Sequence, residues 1–254
     1  ADGTIHLEDL KKALRKDTIL VSMMLVNNET GAINPIKECA AYVHAYSRAV
    51  FHMDGVQGLG KIPISLHDVD MATFSAHKIY GLKGSAILYK KRNIELLPLL
   101  SGGQQEQGLR AGTSNAPTNI VFAKTLRLAL EEQEKAYQYV QELNIYLRRE
   151  IENIEDMVIN SPADASCFIL NFSDLKIGSE VMLNALNAKG FCVSAQSTCS
   201  SKSKAISHVL LAMGLGEVRA THAIRVSLSH MTTKDEVEKF IKALKEIHHD
   251  YRTK

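Results

Sequence analysis

Lys78 stands in Ser75-Ala76-His77-Lys78, where an apolar run ends in a turn that also carries Gly81 and Gly84. A lysine presented from such a turn can condense its amine with an aldehyde, and small neighbours let a flat ring approach the backbone. Taken alone, it reads as a solvated loop lysine. Asp54 ends a second apolar run, in His52-Met53-Asp54-Gly55-Val56-Gln57. Taken alone, it reads as a turn aspartate. Together the two supply an amine for an aldehyde and a carboxylate for a protonated ring nitrogen. Both stand at strand ends, and ligands of open α/β sheets bind beyond the carboxyl ends of strands.

Pyridoxal phosphate carries both groups: an aldehyde, and a pyridine nitrogen that a paired carboxylate keeps protonated and electron-withdrawing. Between Ser101 and Asn115 the loop SGGQQEQGLRAGTSN offers backbone N–H groups and hydroxyls that can cradle an anion. Of the four cysteines, Cys199 alone lies among small polar residues, in Ser194-Ala195-Gln196-Ser197-Thr198-Cys199-Ser200-Ser201. Lys202 and Lys204 favour its thiolate. Cys167 and Cys192 have apolar neighbours and Cys39 a helical pattern, so all three read as core. Arg225 lies on an apolar strand, where a guanidinium needs a partner: a structural ion pair, or a carboxylate gripped by its two-pronged fork.

These residues need elements to hold them. Leu7, Leu10 and Leu14 recur at helical spacing, and Thr18 to Val26 reads as a buried strand. Asn34-Pro35 offers an N-cap and a first-turn proline for a helix to about Arg48. Ala49 to Met53, Asp70 to Ser75 and Ser85 to Tyr89 are further strands, and strands separated by helices imply a mainly parallel α/β sheet. A long run of helix formers spans about Thr118 to Asn153. The second half reads as an α+β unit. It has strands at Cys167–Phe172, Phe191–Val193 and Ala223–Leu228, and helices at Ser179–Lys189 and Ser203–Met213. A Thr233/Glu236 capping box starts the last helix. The expected division is residues 1–115, a large cofactor-binding domain, and 116–254, a small C-terminal domain.

Composition excludes other classes. The 254 residues are 45% hydrophobic and 23% charged, with a net charge of +2, so no basic surface for nucleic acid or anionic membrane is expected. No apolar run reaches the roughly 18 residues of a membrane span. The cysteines have no CxxC spacing, so a metal site is not expected. With no secretory leader visible, the thiols are expected to stay reduced in the cytoplasm. His248 and His249, near the end of the last helix, read as solvated. His6, His44, His67, His208, His222 and His230 carry no spacing that points to a site.

Four motifs in order, Val26-Asn27-Asn28-Glu29-Thr30-Gly31, HMDGVQ, FSAHKIYGLKG and GGQQEQGLRAGTSN, resemble the cysteine desulfurases of the aminotransferase class V type. The resemblance covers essentially the whole chain. It implies a fold type I transferase, like aspartate aminotransferase, with a mainly parallel sheet and a smaller C-terminal domain. It implies Lys78 as the cofactor lysine, Asp54 on the pyridine nitrogen and Gln57 on the ring hydroxyl. Asn28 would sit by the ring and the substrate carboxylate, with Ser75 and His77 on the phosphate. Thr113 would complete the phosphate site of a partner subunit, hence a homodimer. Arg225 would bind the carboxylate of L-cysteine. Cys199 would take the sulfur as a persulfide and pass it to an acceptor protein of iron–sulfur assembly or tRNA thiolation.

The resemblance also implies a stretch before Ala1, with a ring-stacking histidine and a Gly/Thr phosphate loop. No residue here fills those roles, so the chain by itself is expected to be inactive. A selenocysteine lyase shares the scaffold. A binding module unable to hold the cofactor is an alternative of another class, and an aminotransferase without a cysteine nucleophile is disfavoured by the Cys199 loop.

Overall fold

The computed structural model describes residues 2–195 and 206–252. The chain packs as two compact units, one of His6–Leu25 with Pro35–Gln133, the other of Ala1–Ile5, Val26–Asn34 and Glu134–Lys254. From the sequence the boundary falls near residue 116; the packing divides the chain at Gln133 and lends the short Val26–Asn34 piece to the second unit.

The first unit is a four-stranded sheet with helices. Its elements are α1 (Leu7–Ala13), β1 (Leu20–Met24), α2 (Ile36–Tyr46), β2 (Val50–Asp54), β3 (Met71–Ser75), β4 (Ala86–Lys90) and α3 (Ala116–Glu131). The strands lie in the order β1-β2-β3-β4. The first three are parallel, with Met24 beside Asp54 and Asp54 beside Thr73; β4 runs antiparallel to β3. Phe51, Met53 and Ala72 are buried on one face. Ser22, His52, Asp54, Thr73 and Ser75, two apart along their strands, take the other.

The second unit contains α4 (Gln133–Glu152), β5 (Met157–Ile159), β6 (Ile169–Asp174), α5 (Ser179–Ala188), α6 (His208–Ala212), α7 (Gly216–His222), β7 (Ala223–Ser227) and α8 (Lys234–Arg252). Strands β5-β6-β7 form an antiparallel sheet. Leu147 of α4, Phe172 of β6, Leu186 of α5, Ile224 of β7 and Leu244 of α8 meet in its core. The capping box is present: Thr233 N–H donates to Glu236 Oε2 at 2.7 Å, and Glu236 N–H to Thr233 Oγ1 at 3.2 Å.

Several sequence expectations need correction. The long helix is two, broken at Glu132, where φ is −98° and ψ 0°. Helix formers on both sides hide the break, but α3 belongs to the first unit and α4, apart from Gln133, to the second. Asn34 does not cap α2. Its Oδ1 accepts from Ile5 N–H at 2.9 Å, and Pro35 takes the cap position without a side-chain bond. Phe191–Val193 forms no strand; pairing there is limited, among the described residues, to a bridge between Ser194 and Arg225. Cys192 is exposed, not core. Phe191 and Val193 turn inward onto the core, and alternation sends the residue between them outward. His248 is buried, because Leu244 and His248 share the inner stripe of α8 at i,i+4. Its Nδ1 lies 2.6 Å from Asp174 Oδ2.

Candidate functional site

Asp54 is the last residue of β2, and the chain turns at once. Asp54 Oδ1 accepts from Val56 N–H at 2.9 Å, and Gly55 N–H donates to Thr73 O at 3.0 Å. A Cβ on Gly55 would fall 2.3 Å from Phe74 Cε1, so only glycine lets the turn lie this close to β3. The half-buried Gln57 follows, its Oε1 accepting from Lys61 Nζ at 3.2 Å. The other carboxylate oxygen of Asp54 takes no hydrogen bond from a described residue.

Lys78 rides on a single 3-10 turn, Ala76–Ile79, that follows β3 directly. Ala76 and Ile79 are buried and pin the turn, which leaves Lys78 half-buried and His77 exposed. Tyr80 closes the turn with φ +66°, and Gly81 N–H donates back to Ala76 O at 2.9 Å. Helix α3 packs against the turn from outside. Lys78 forms no hydrogen bond or ion pair with a described residue. The Ser75 hydroxyl, at the end of β3, does not cap the turn and is also left over. Thr113 is exposed in the glycine-rich loop ahead of α3.

His52 shares the face of Asp54. Its ring bridges three strands, through Ser22 Oγ at 2.8 Å and Thr73 Oγ1 at 3.2 Å. Burial lowers its pKa, against an opposing pull from Asp54, and so favours the neutral ring. Sequence reasoning missed this bridge, although the alternation in Phe51-His52-Met53-Asp54 puts both residues on one side.

Asn28 and Arg225 belong to the second unit. Arg225 Nη1 donates to Asn28 O at 2.9 Å and Nη2 to Ser194 Oγ at 3.1 Å. Arg225 has no carboxylate bound to it, so the structural ion pair is absent among the described residues. Its Nε is buried without a hydrogen-bond partner. Burial lowers the guanidinium pKa, and the nearby Glu29 carboxylate partly offsets this. A half-buried cation with a buried donor to spare suits an anion. Cys199 lies outside the described residues. No group of three or more His, Cys, Asp or Glu could hold a metal ion among the described residues. Nor is any described helix long and apolar enough to cross a membrane.

The aminotransferase class-V profile matches residues 1–240. The chain belongs to the aminotransferase class-V family. It is 40% identical to a cysteine desulfurase IscS of Dictyoglomus turgidum, over 99% of this chain and 65% of that protein. It is 38% identical to a mitochondrial cysteine desulfurase of Candida albicans, over 97% of this chain and 51% of that protein. The chain thus spans less than two thirds of the length of these relatives. Among solved structures, a NifS-like protein superposes with a TM-score of 0.89 at 37% identity, covering 97% of this chain and 65% of that one. A structure titled SspA in complex with cysteine superposes with a TM-score of 0.73 at 30% identity, covering 91% and 65%.

Aminotransferase class-V proteins of the desulfurase type depend on pyridoxal phosphate, and the first unit has the donors for it. It offers an unpartnered lysine, a carboxylate with a free oxygen, and a spare hydroxyl, all at the carboxyl ends of two neighbouring parallel strands.

Proposed function

We propose that the protein acts as a cysteine desulfurase, taking sulfur from L-cysteine and leaving alanine. The observation that carries the reading is Asp54 at the end of one strand and Lys78 just past the end of its parallel neighbour, both with unused polar atoms. The names of the relatives support the choice of sulfur chemistry, and the cysteine in the SspA title supports the substrate.

When bound, pyridoxal phosphate supplies an electron sink for an attached amino acid. Each residue of the chain then has a task. Asp54 keeps the ring nitrogen protonated. Lys78 tethers the cofactor through its aldehyde carbon. Gln57 faces the ring hydroxyl, Ser75 and His77 donate to the phosphate, and Thr113 donates to the phosphate of a partner subunit in a homodimer. Arg225 and Asn28 hold the substrate carboxylate. The Cys199 thiolate attacks the substrate sulfur. The S–S bond forms as the C–S bond breaks, and the electron pair stays on carbon, which is protonated to give alanine. Cys199 is left as a persulfide. An acceptor protein of iron–sulfur assembly or tRNA thiolation takes its outer sulfur, in the cytoplasm.

The test is to supply the full-length gene product with pyridoxal phosphate and cysteine under a thiol reductant. Sulfide and alanine are expected in equal amounts. Cofactor binding with transamination products only would overturn the sulfur chemistry. A protein that stays colourless would favour a binding module, and strong preference for selenocysteine would favour a lyase for that substrate.

A further inference from the structure

On the polar face of the first unit's sheet, one ring ties three strands together. His52 of β2 stands opposite Ser22 of β1 and Met71 of β3. Its Nδ1 lies 2.8 Å from Ser22 Oγ, and its Nε2 lies 3.2 Å from Thr73 Oγ1. Thr73 is the next residue of β3 on that face, and it stands opposite Asp54. The ring therefore spans the parallel strands and meets β3 at the level of Asp54. A neutral imidazole has one donor and one acceptor, and a hydroxyl can answer either, so both ends of the bridge are satisfied together. Burial, which outweighs the pull of Asp54, favours that neutral form.

The join that this ring braces is short. β1 and β2 pair over five residues, but β2 and β3 over three, His52 to Asp54 with Met71 to Thr73. Just beyond, Gly55 N–H donates to Thr73 O at 3.0 Å, and the chain then turns. The two groups offered to the cofactor leave from either side of this join. Asp54 closes β2, and the turn that carries Lys78 follows β3. Their separation is thus set by how β2 lies against β3. The bond to Ser22 lies on the other side of β2, against β1, which carries neither group.

We propose that His52 is a positioning residue for the cofactor, its ring bracing β2 against β3 so that Asp54 and Lys78 are presented at a fixed separation. The inference rests on the reading of Asp54 and Lys78 as cofactor-binding groups. A tether and a counter-charge must meet two fixed atoms of one rigid ring, so a small slip between the strands weakens both contacts at once. His52 touches neither cofactor nor substrate in this account; it acts through Thr73.

The test titrates pyridoxal phosphate into the full-length protein stripped of cofactor and reads the visible absorbance. His52→Phe keeps a ring but loses both bonds, and is expected to weaken cofactor binding about tenfold. His52→Gln keeps a donor and an acceptor, and is expected to restore most of the affinity. Thr73→Val should weaken binding about as much as His52→Phe, and the double variant His52→Phe/Thr73→Val should be no weaker than His52→Phe. Ser22→Ala should lose much less. Without cofactor, hydrogen exchange at the Gly55 amide should quicken in His52→Phe and in Thr73→Val. Unchanged affinity, no rescue by glutamine, additive effects, a Ser22→Ala loss as large as that of Thr73→Val, or unchanged exchange at Gly55 would each overturn the proposal. If His52→Phe does not fold, Thr73→Val and Ser22→Ala decide by the same comparison. If the unaltered protein binds no pyridoxal phosphate, the cofactor reading fails by itself. Unchanged exchange at Gly55 in Thr73→Val would then overturn the brace, and faster exchange would uphold it.

Discussion

At the scale of single residues, the contrast between Lys78 and Cys199 gives the sharpest prediction. Lys78→Ala should abolish the visible absorbance of bound cofactor, whereas Cys199→Ser should keep that absorbance and lose sulfide release. An absorbance scan beside a sulfide assay reads both, and a Cys199→Ser protein with full sulfide release would move the nucleophile elsewhere. A second prediction concerns Asp70. Its carboxylate accepts from Phe51 N–H at 2.8 Å, meets His44 Nε2 at 2.7 Å and Lys91 Nζ at 3.0 Å. Burial pushes its pKa up, but the Phe51 N–H, His44 and Lys91 together outweigh it, and the net shift is down. A depressed carboxylate stabilises the fold above its unfolded pKa of 3.8, and that contribution is lost as pH falls through the folded value. Asp70→Asn should cost about 2 kcal/mol near neutral pH, and the deficit should shrink below pH ~4. Urea titrations at several pH values check it. The strand-end placement of Lys78 and Asp54 was legible because glycines mark the turns that follow. The hydrogen bond between Ser207 and Glu29 was not legible, since the two lie 178 positions apart and no spacing rule links them.

Elements were read well where pattern and punctuation agreed. The strands β1, β2, β3, β4, β6 and β7 fall within or beside the expected runs, because each apolar run is bounded by turn residues. Strand β5 has three residues and α7 has seven, too short to show a period. The start of α8 was fully legible, since Thr233 and Glu236 have the spacing of a reciprocal cap. Thr233→Ala should therefore cost about 1 kcal/mol, measured by chemical denaturation. Because Thr233 lies outside the cofactor site, cofactor absorbance should not change. A loss much above that would mean the hydroxyl does more than cap.

For the whole molecule, the sequence supports a mainly parallel sheet and a separate α+β unit, but not the interweaving by which Val26–Asn34 packs with residues beyond Gln133. Local pattern cannot report which distant surface a short turn will meet. The outer strands β1 and β4 carry exposed Leu20, Met24, Ile87 and Leu88, and beyond β4 Leu97 and Leu99 are 94% and 100% exposed. Open edges with apolar side chains invite association. We expect the 254-residue chain by itself to self-associate and to release little sulfide beside the full-length gene product. Sedimentation and an assay at equal concentration measure both. A monodisperse chain with comparable turnover would show that these surfaces need no further cover.

The outward turn of Cys192 bears on how sulfur is counted. Cys39 and Cys167 are buried, and burial raises both thiols, Cys167 to about 11, so neither competes for reagents at neutral pH. Cys192 is open to solvent on the wall of a cavity of about 400 Å³ that Phe191 and Phe240 also line. Maleimide labelling or mass spectrometry of sulfane sulfur would therefore register it alongside Cys199. Stoichiometry assigned to one nucleophile is clean only in a Cys192→Ser background; conversely, in a Cys199→Ser background the retained Cys192 offers an exposed thiol for a single reporter dye.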